Sequence, residues 1–144
     1  MKVRYFLIIV SIIISIQINC MNQNELPKNV VEALFAQDFK TFQDYLDKGG
    51  NINGTFHEVP LIFIAINRST NDLTAIKFLL EKGININFFS DRFKRTPLEH
   101  AIRIKKIEAV QMLLKHGADV NMLFDLKSFF ILKKVNCSAL LMYH

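Results

Sequence analysis

LLKHGADVN, residues Leu113–Asn121, is the stretch that decides how this chain folds. Two echoes precede it, LLEKGININ at Leu79–Asn87 and YLDKGGNIN at Tyr45–Asn53. Their glycines, Gly49, Gly83 and Gly117, are spaced by 34 and again by 34. In each echo an apolar-periodic segment runs into a glycine, and an Asn-rich turn follows. Glycine supplies the left-handed conformation that commonly closes a helix. Asp and Asn side chains fold back onto the backbone two residues on and make the turn. A helix ending repeated at a near-fixed interval predicts a stack of similar units, each packed on its neighbours.

The third unit, TPLEHAIRIKKIEAVQMLLKHGADVN, shows the plan most fully. Thr96 can cap a helix with its hydroxyl, and Pro97 suits the first helical position. Glu99 lies three residues after Thr96, which predicts a capping box. Leu98, Ala101 and Ile102 share one face of a short helix. A second helix begins near Ile107, with Val110, Leu113 and Leu114 in its apolar stripe. Lys115 and His116 fall in the last turn, where cations suit the helix dipole. The second unit repeats the plan with Pro60 and Leu61 opening, and with Ile76, Leu79 and Leu80 in the stripe. Val59 replaces the Thr cap there, which predicts a weaker helix start. The first unit keeps only the second helix clearly, with Phe42, Tyr45 and Leu46.

A period near 34 with two helices per unit suits two repeat families. Tetratricopeptide repeats use two long helices, whereas here the first helix is short and a Gly/Asn loop separates the units. TPLEHA and LLKHGADVN resemble the ankyrin consensus, whose units open with Thr-Pro-Leu-His and close with Leu-Leu-x-x-Gly-Ala-Asp-Val-Asn. The resemblance covers residues 25–121. It implies an all-α solenoid of helix-turn-helix units joined by β-hairpin-like loops, with units at 29–53, 59–87 and 96–121. Gly49, Gly83, Thr96, Pro97, Leu98 and Gly117 are then its structural residues. Two departures stand out. The family's usual Gly between the helices is missing in unit three, where RIKK stands, and His100 is one place beyond the family's His. The equal glycine spacing hides unequal insertions: Pro97 to Gly117 is 20 residues, but Pro60 to Gly83 is 23.

The chain begins MKVRYFLIIVSIIISIQINC. Lys2 and Arg4 precede an apolar run from Tyr5 to Ile18, broken only by Ser11, Ser15 and Gln17. That is the shape of a secretory signal over residues 1–19. The run is shorter than the roughly 20 residues a spanning helix needs, and an uncleaved anchor is the alternative. It stops at Cys20, which resembles the lipid-receiving cysteine of a bacterial lipoprotein signal. The three places before it hold Gln17, Ile18 and Asn19, where that signal has Leu and small residues. Residues 20–28 read as a polar tether. If Cys20 carries lipid, Cys137 has no disulfide partner.

Half the chain is hydrophobic, which excludes a disordered tail. Net charge is +5, and removing Lys2 and Arg4 leaves +5 − 2 = +3. The remaining bases are interspersed with acids, so no nucleic-acid footprint is expected. His57, His100, His116 and His144 show no ligand spacing, and no metal or other cofactor is expected. His116 reads as a helix cap and His100 as packed against the neighbouring hairpin. No Gly-rich phosphate loop or Ser/His nucleophile motif is present. Glu99 and Glu108 are a candidate carboxylate pair, but capping explains the first and a solvated face the second. No catalysis is expected.

What remains is recognition, since the resemblance implies protein binding by hairpin tips and first helices. The loop before Thr96 offers Arg92, Phe93, Lys94 and Arg95, and aromatic and Arg residues are favoured interface anchors. The corresponding tip of the earlier unit offers Phe56 and His57. Packing under the hairpin is the competing role for Phe88, Phe89 and Phe93. The expected function is a non-enzymatic interaction module, exported, and joined to a membrane only through an N-terminal lipid or signal anchor. The alternatives are a secreted effector or toxin-associated ankyrin protein, and a fragment of a longer array. Residues 122–144 form an apolar tail, read either as a cap or as a partial fourth repeat with Ser138, Ala139 and Leu140 in the Thr-Pro-Leu places.

Overall fold

The computed structural model describes residues 7–13, 24–69 and 72–122. Cys20, Cys137, His144 and residues 123–144 of the apolar tail lie outside them. Residues 7–13 form a helix, α1. Three helix pairs follow: α2 (Lys28–Phe35) with α3 (Phe39–Asp47), α4 (Leu61–Arg68) with α5 (Thr74–Glu81), and α6 (Pro97–Arg103) with α7 (Ile107–Lys115). Strands β1 (Thr55–Phe56) and β2 (Val59–Pro60) make an antiparallel hairpin between the first and second pairs. A single bridge, Ser90 to Arg95, closes the matching hairpin before α6. A 3-10 turn at Val120–Met122 follows α7. The architecture is the expected helical solenoid with hairpin connections.

Each second helix ends in the same way, for a local reason. Gly49, Gly83 and Gly117 have φ of 84°, 78° and 84°. Their N–H groups donate to Leu46 O, Leu80 O and Leu114 O, and the next residue's N–H reaches back to Tyr45 O, Leu79 O and Leu113 O. This double closure satisfies carbonyls that the helix leaves unpaired. The first helices end alike, but without glycine. Gln37 and Lys105 take φ of 61° and 59°, with Lys105 N donating to Ile102 O and Lys106 N to Ala101 O. Lys105 therefore holds the left-handed place that the family fills with Gly. A side chain there costs about 1 kcal/mol. Lys105→Gly is accordingly expected to stabilise the fold by about 1 kcal/mol, and Gln37→Gly similarly, read as a higher midpoint in urea.

Helix starts follow the sequence less evenly. Thr96 Oγ1 accepts from Glu99 N at 3.1 Å, as a cap should. The other half of the predicted box is absent, because the Glu99 carboxylate turns along the helix and its Oε1 accepts from Arg103 Nε at 3.2 Å. Asp38 caps α3, accepting from Thr41 N and Thr41 Oγ1, and those bonds hold its carboxyl below the usual carboxylate range. No side chain caps α4, in line with Val59 in the Thr place.

The core is continuous from Leu26 and Val30 through Phe42, Ile62, Phe63, Ile76 and Leu79 to Leu98, Val110 and Leu113. Between units one and two, Phe78 stacks on Phe39 at 4.5 Å and meets Phe42 edge-on at 5.6 Å. Helix α4 packs against both α5 and α6. The stretch expected to be a tether is described from Asn24 onward, and there it is docked. Thr55 N donates to Asn24 O at 2.6 Å and Leu26 N to Thr55 O at 2.7 Å, while Leu26 is buried and Lys28 begins α2.

The units are also tied by a run of polar side chains. Within each turn the first Asx residue folds back: Asn53 N donates to Asn51 Oδ1, Asn87 N to Asn85 Oδ1, and Asn121 N to Asp119 Oδ1, at 2.8–3.0 Å. The second reaches across to the next unit, with Asn85 N donating to Asn53 Oδ1 and Asp119 N to Asn87 Oδ1, both at 2.8 Å. The run starts where the Tyr45 hydroxyl accepts from Asn51 N at 3.0 Å and Asn24 Oδ1 accepts from Asn51 Nδ2 at 3.0 Å. Gly50 makes room for this, because a Cβ there would lie 2.4 Å from the Tyr45 ring.

Candidate interaction surface

The hairpin tips lie where the sequence places them, and they are joined to each other. His57 and Glu58 form the two-residue turn between β1 and β2, with φ of 50° and 62°. Positive φ at both positions is the type I′ geometry that matches strand twist. The next tip carries Asp91 to Lys94, with Lys94 at φ 51°. Arg92 Nη1 donates to Glu58 Oε2 at 3.0 Å and to His57 O at 3.4 Å, which links the two tips. Glu25 Oε1 accepts from His57 N at 2.7 Å and holds the first tip from its other side.

The candidate residues divide by environment. His57, Arg92 and Lys94 are exposed, with 73% of the Lys94 side chain in solvent against 49% for Arg92. Phe93 is not an open anchor. Its ring lies 4.6 Å from Phe63 with 5° between planes, so it packs the hairpin onto α4. Phe88 meets Phe63 edge-on at 6.0 Å, while Phe89 is 40% exposed. Arg95 is half-buried, with its Nε donating to Phe93 O at 2.8 Å, and Phe56 is half-buried with its ring 4.2 Å from His57. Beneath β1 and β2 a cavity of about 340 Å³ is lined by Leu61, Ile62, Ile84 and Phe88 and rimmed by Asn53 and Asn85.

His100 sits behind the second tip. Its ring lies 5.3 Å from Phe93 and 4.9 Å from Phe63, and Nε2 is 2.7 Å from Asn67 Oδ1 on the preceding unit. Burial, and then the nearby Arg95 charge, lower its pKa from 6.5 to about 4. The folded state thus holds His100 neutral, while the unfolded chain takes up a proton near 6.5. Stability from this residue is present above 6.5 and is lost as pH falls toward 4, by up to about 3 kcal/mol. Urea midpoints measured from pH 7 to pH 4 should fall less steeply in His100→Leu than in the parent chain. His116 occupies the C-cap of α7, with Nδ1 2.9 Å from Met112 O.

Among the described residues no group of three or more His, Cys, Asp or Glu is placed to hold a metal ion. Glu99 is buried and Glu108 exposed, so they share no site. Two features escaped sequence reasoning. The cross-unit Asn bonds join residues 32 apart, although their signal, Asn or Asp at one register in all three turns, is visible. The Glu58–Arg92 link, 34 apart, left only opposite charges at equivalent tips.

A solenoid of three helix pairs with hairpin connections and glycine-closed helices defines a repeat protein. A sequence model of ankyrin repeats in three copies matches residues 17–123, and the chain belongs to the ankyrin-repeat family. Similar stretches occur in proteins of other kinds. The 2-5A-dependent ribonuclease of Homo sapiens is 40% identical over 48 residues, which is 33% of this chain and 6% of that protein. The B-cell lymphoma 3 protein homolog of Mus musculus is 37% identical over 60 residues, 42% of this chain and 13% of that one. Palmitoyltransferase AKR1 of Lachancea kluyveri is 37% identical over 49 residues, 34% of this chain and 7% of that one. The chain therefore matches only a small part of each relative's length. A ribonuclease and a palmitoyltransferase each match part of this chain, which suits a protein–protein interaction module.

Proposed function

We propose that this chain binds a protein partner through its exposed hairpin tips, without catalysis of its own, and acts after export while held at a membrane by its N-terminal segment. The observation that carries the binding surface is backbone strain. His57, Glu58 and Lys94 all take left-handed conformations at exposed tips. Each costs about 1–2 kcal/mol relative to an ordinary conformation. Glycine or asparagine would serve the turn alone. Such strain clusters where side chains have work to do. Gln37 and Lys105 share the conformation but lie at helix ends away from the tips.

The double substitution His57→Gly and Lys94→Gly separates binding from folding. The fold should become more stable by about 1–2 kcal/mol in total. Capture of the partner by the full chain from an extract of the source cells should be lost. Capture that survives both changes overturns the tip assignment. Export and tethering rest on Lys2, Arg4, the apolar run and Cys20. Among the described residues no helix is long and apolar enough to cross a membrane. Palmitate-analogue labelling that disappears in Cys20→Ser supports a tethered protein, and soluble chain in the medium supports a released effector.

A further inference from the structure

We propose that the outer edge of the first hairpin is the surface that faces the lipid, and that units one to three stand progressively farther from it. This rests on the membrane-anchor reading above and adds an orientation to it. Helix α1 leaves Leu7, Ile8, Ile9, Ile12 and Ile13 between 48% and 61% exposed, an apolar patch preceded by Lys2 and Arg4. A bilayer with anionic headgroups suits that arrangement, because apolar side chains enter the acyl region while cations stay at the headgroups.

The chain then reaches the solenoid through few residues. Asn24 to Leu26 take the free edge of β1, on the side away from β2, with Glu25 bridging Thr55 in parallel. Four contacts fix them: Asn24 O to Thr55 N, Leu26 N to Thr55 O, Glu25 Oε1 to His57 N and Asn24 Oδ1 to Asn51 Nδ2, all 2.6–3.0 Å. From the end of the apolar run at Ile18 to Asn24 is six residues, which span at most about 20 Å. From Cys20 the span is at most about 14 Å. With either attachment the anchored point stays close to the first hairpin and to Lys48, Gly49 and Gly50 at the end of α3. A partner reading the second tip is then met farther from the membrane than one reading the first.

Equivalent positions allow a direct measurement. Lys48, Lys82 and His116 are exposed C-cap residues of α3, α5 and α7, one per unit and 34 apart. The chain has no Trp. Each is replaced singly by Trp in the full chain, which is bound to phosphatidylcholine/phosphatidylglycerol vesicles carrying a nitroxide on the headgroup. Flotation first shows whether the chain is membrane-bound. Quenching should be strong for Lys48→Trp, weaker for Lys82→Trp and lost for His116→Trp. A flexible Gly/Ser insert of about 30 residues before Asn24 should erase the gradient. Equal or reversed quenching in chains that float overturns the orientation, as does a gradient that survives the insert. Failure to float overturns the anchor reading itself.

Discussion

Phe63→Ala should be the most damaging single substitution, costing about 3–5 kcal/mol. Phe63 is fully buried on α4, where unit two meets unit three. Three other rings depend on it: Phe93 stacked at 4.6 Å, Phe88 edge-on at 6.0 Å and His100 at 4.9 Å. Removing it leaves a cavity, and it also loosens the second hairpin and the His100 pocket together. A small domain has only about 5–15 kcal/mol of net stability, so the loss takes up much of it. The urea midpoint should fall sharply, with amide protection lost first at Ser90–Arg95. Phe89→Ala, at a 40% exposed ring, should change the midpoint little. Equal effects at the two positions would show that the stacked rings do not hold the hairpin.

Asn87→Ala should cost about 2 kcal/mol, well above a typical surface change. Its Oδ1 accepts from Asp119 N at 2.8 Å, and its Nδ2 donates to Gly117 O at 2.9 Å. Both bonds join unit two to unit three. Both bonds are solvent-exposed, so water takes up the freed N–H and carbonyl, and the loss is the net worth of two hydrogen bonds, about 1 kcal/mol each. Asn121→Ala is the control, since Asn121 bonds only to Asp119 of its own turn among the described residues. Thermal melts of the two variants should separate by several degrees, with Asn87→Ala the lower. Coincident melts would reduce the Asn bonds to decoration.

The helices and their ends were legible because their causes are local. Gly117 after Leu113 and Leu114, or Thr96 before Pro97, dictates geometry within five residues. Glu99 was misread because it has two local partners to choose from. Arg103, four residues on, competes for its carboxylate and wins, so only half the box forms. Lys105 stands where the family has glycine, but sequence alone could not say whether the conformation or the residue had changed. The conformation stayed, because Lys105 and Lys106 N–H groups still close α6. Of the tips, position was legible and role was not. Phe93 and Lys94 are neighbours in one loop, yet one ring lies under the hairpin and the other side chain stands in solvent. Nothing in the run RFKR distinguishes them until Phe63 and His100 are placed beside it.

The run of Asx bonds has a direction. At both joints a main-chain N–H of the later unit donates to a side-chain oxygen of the earlier one, Asn85 N to Asn53 Oδ1 and Asp119 N to Asn87 Oδ1. At the first unit that N–H is already taken by the Tyr45 hydroxyl, whereas among the described residues Asn121 uses its amide only within its own turn. The array therefore has a sealed beginning and, after it, joints built on the same Asx bond, to which the second adds Asn87 Nδ2 donating to Gly117 O. Because each joint asks only for an Asx pair in register, a whole unit can be duplicated or deleted between two joints without altering its neighbours. Gene-level changes in unit number are then far gentler on this fold than the loss of a single joint.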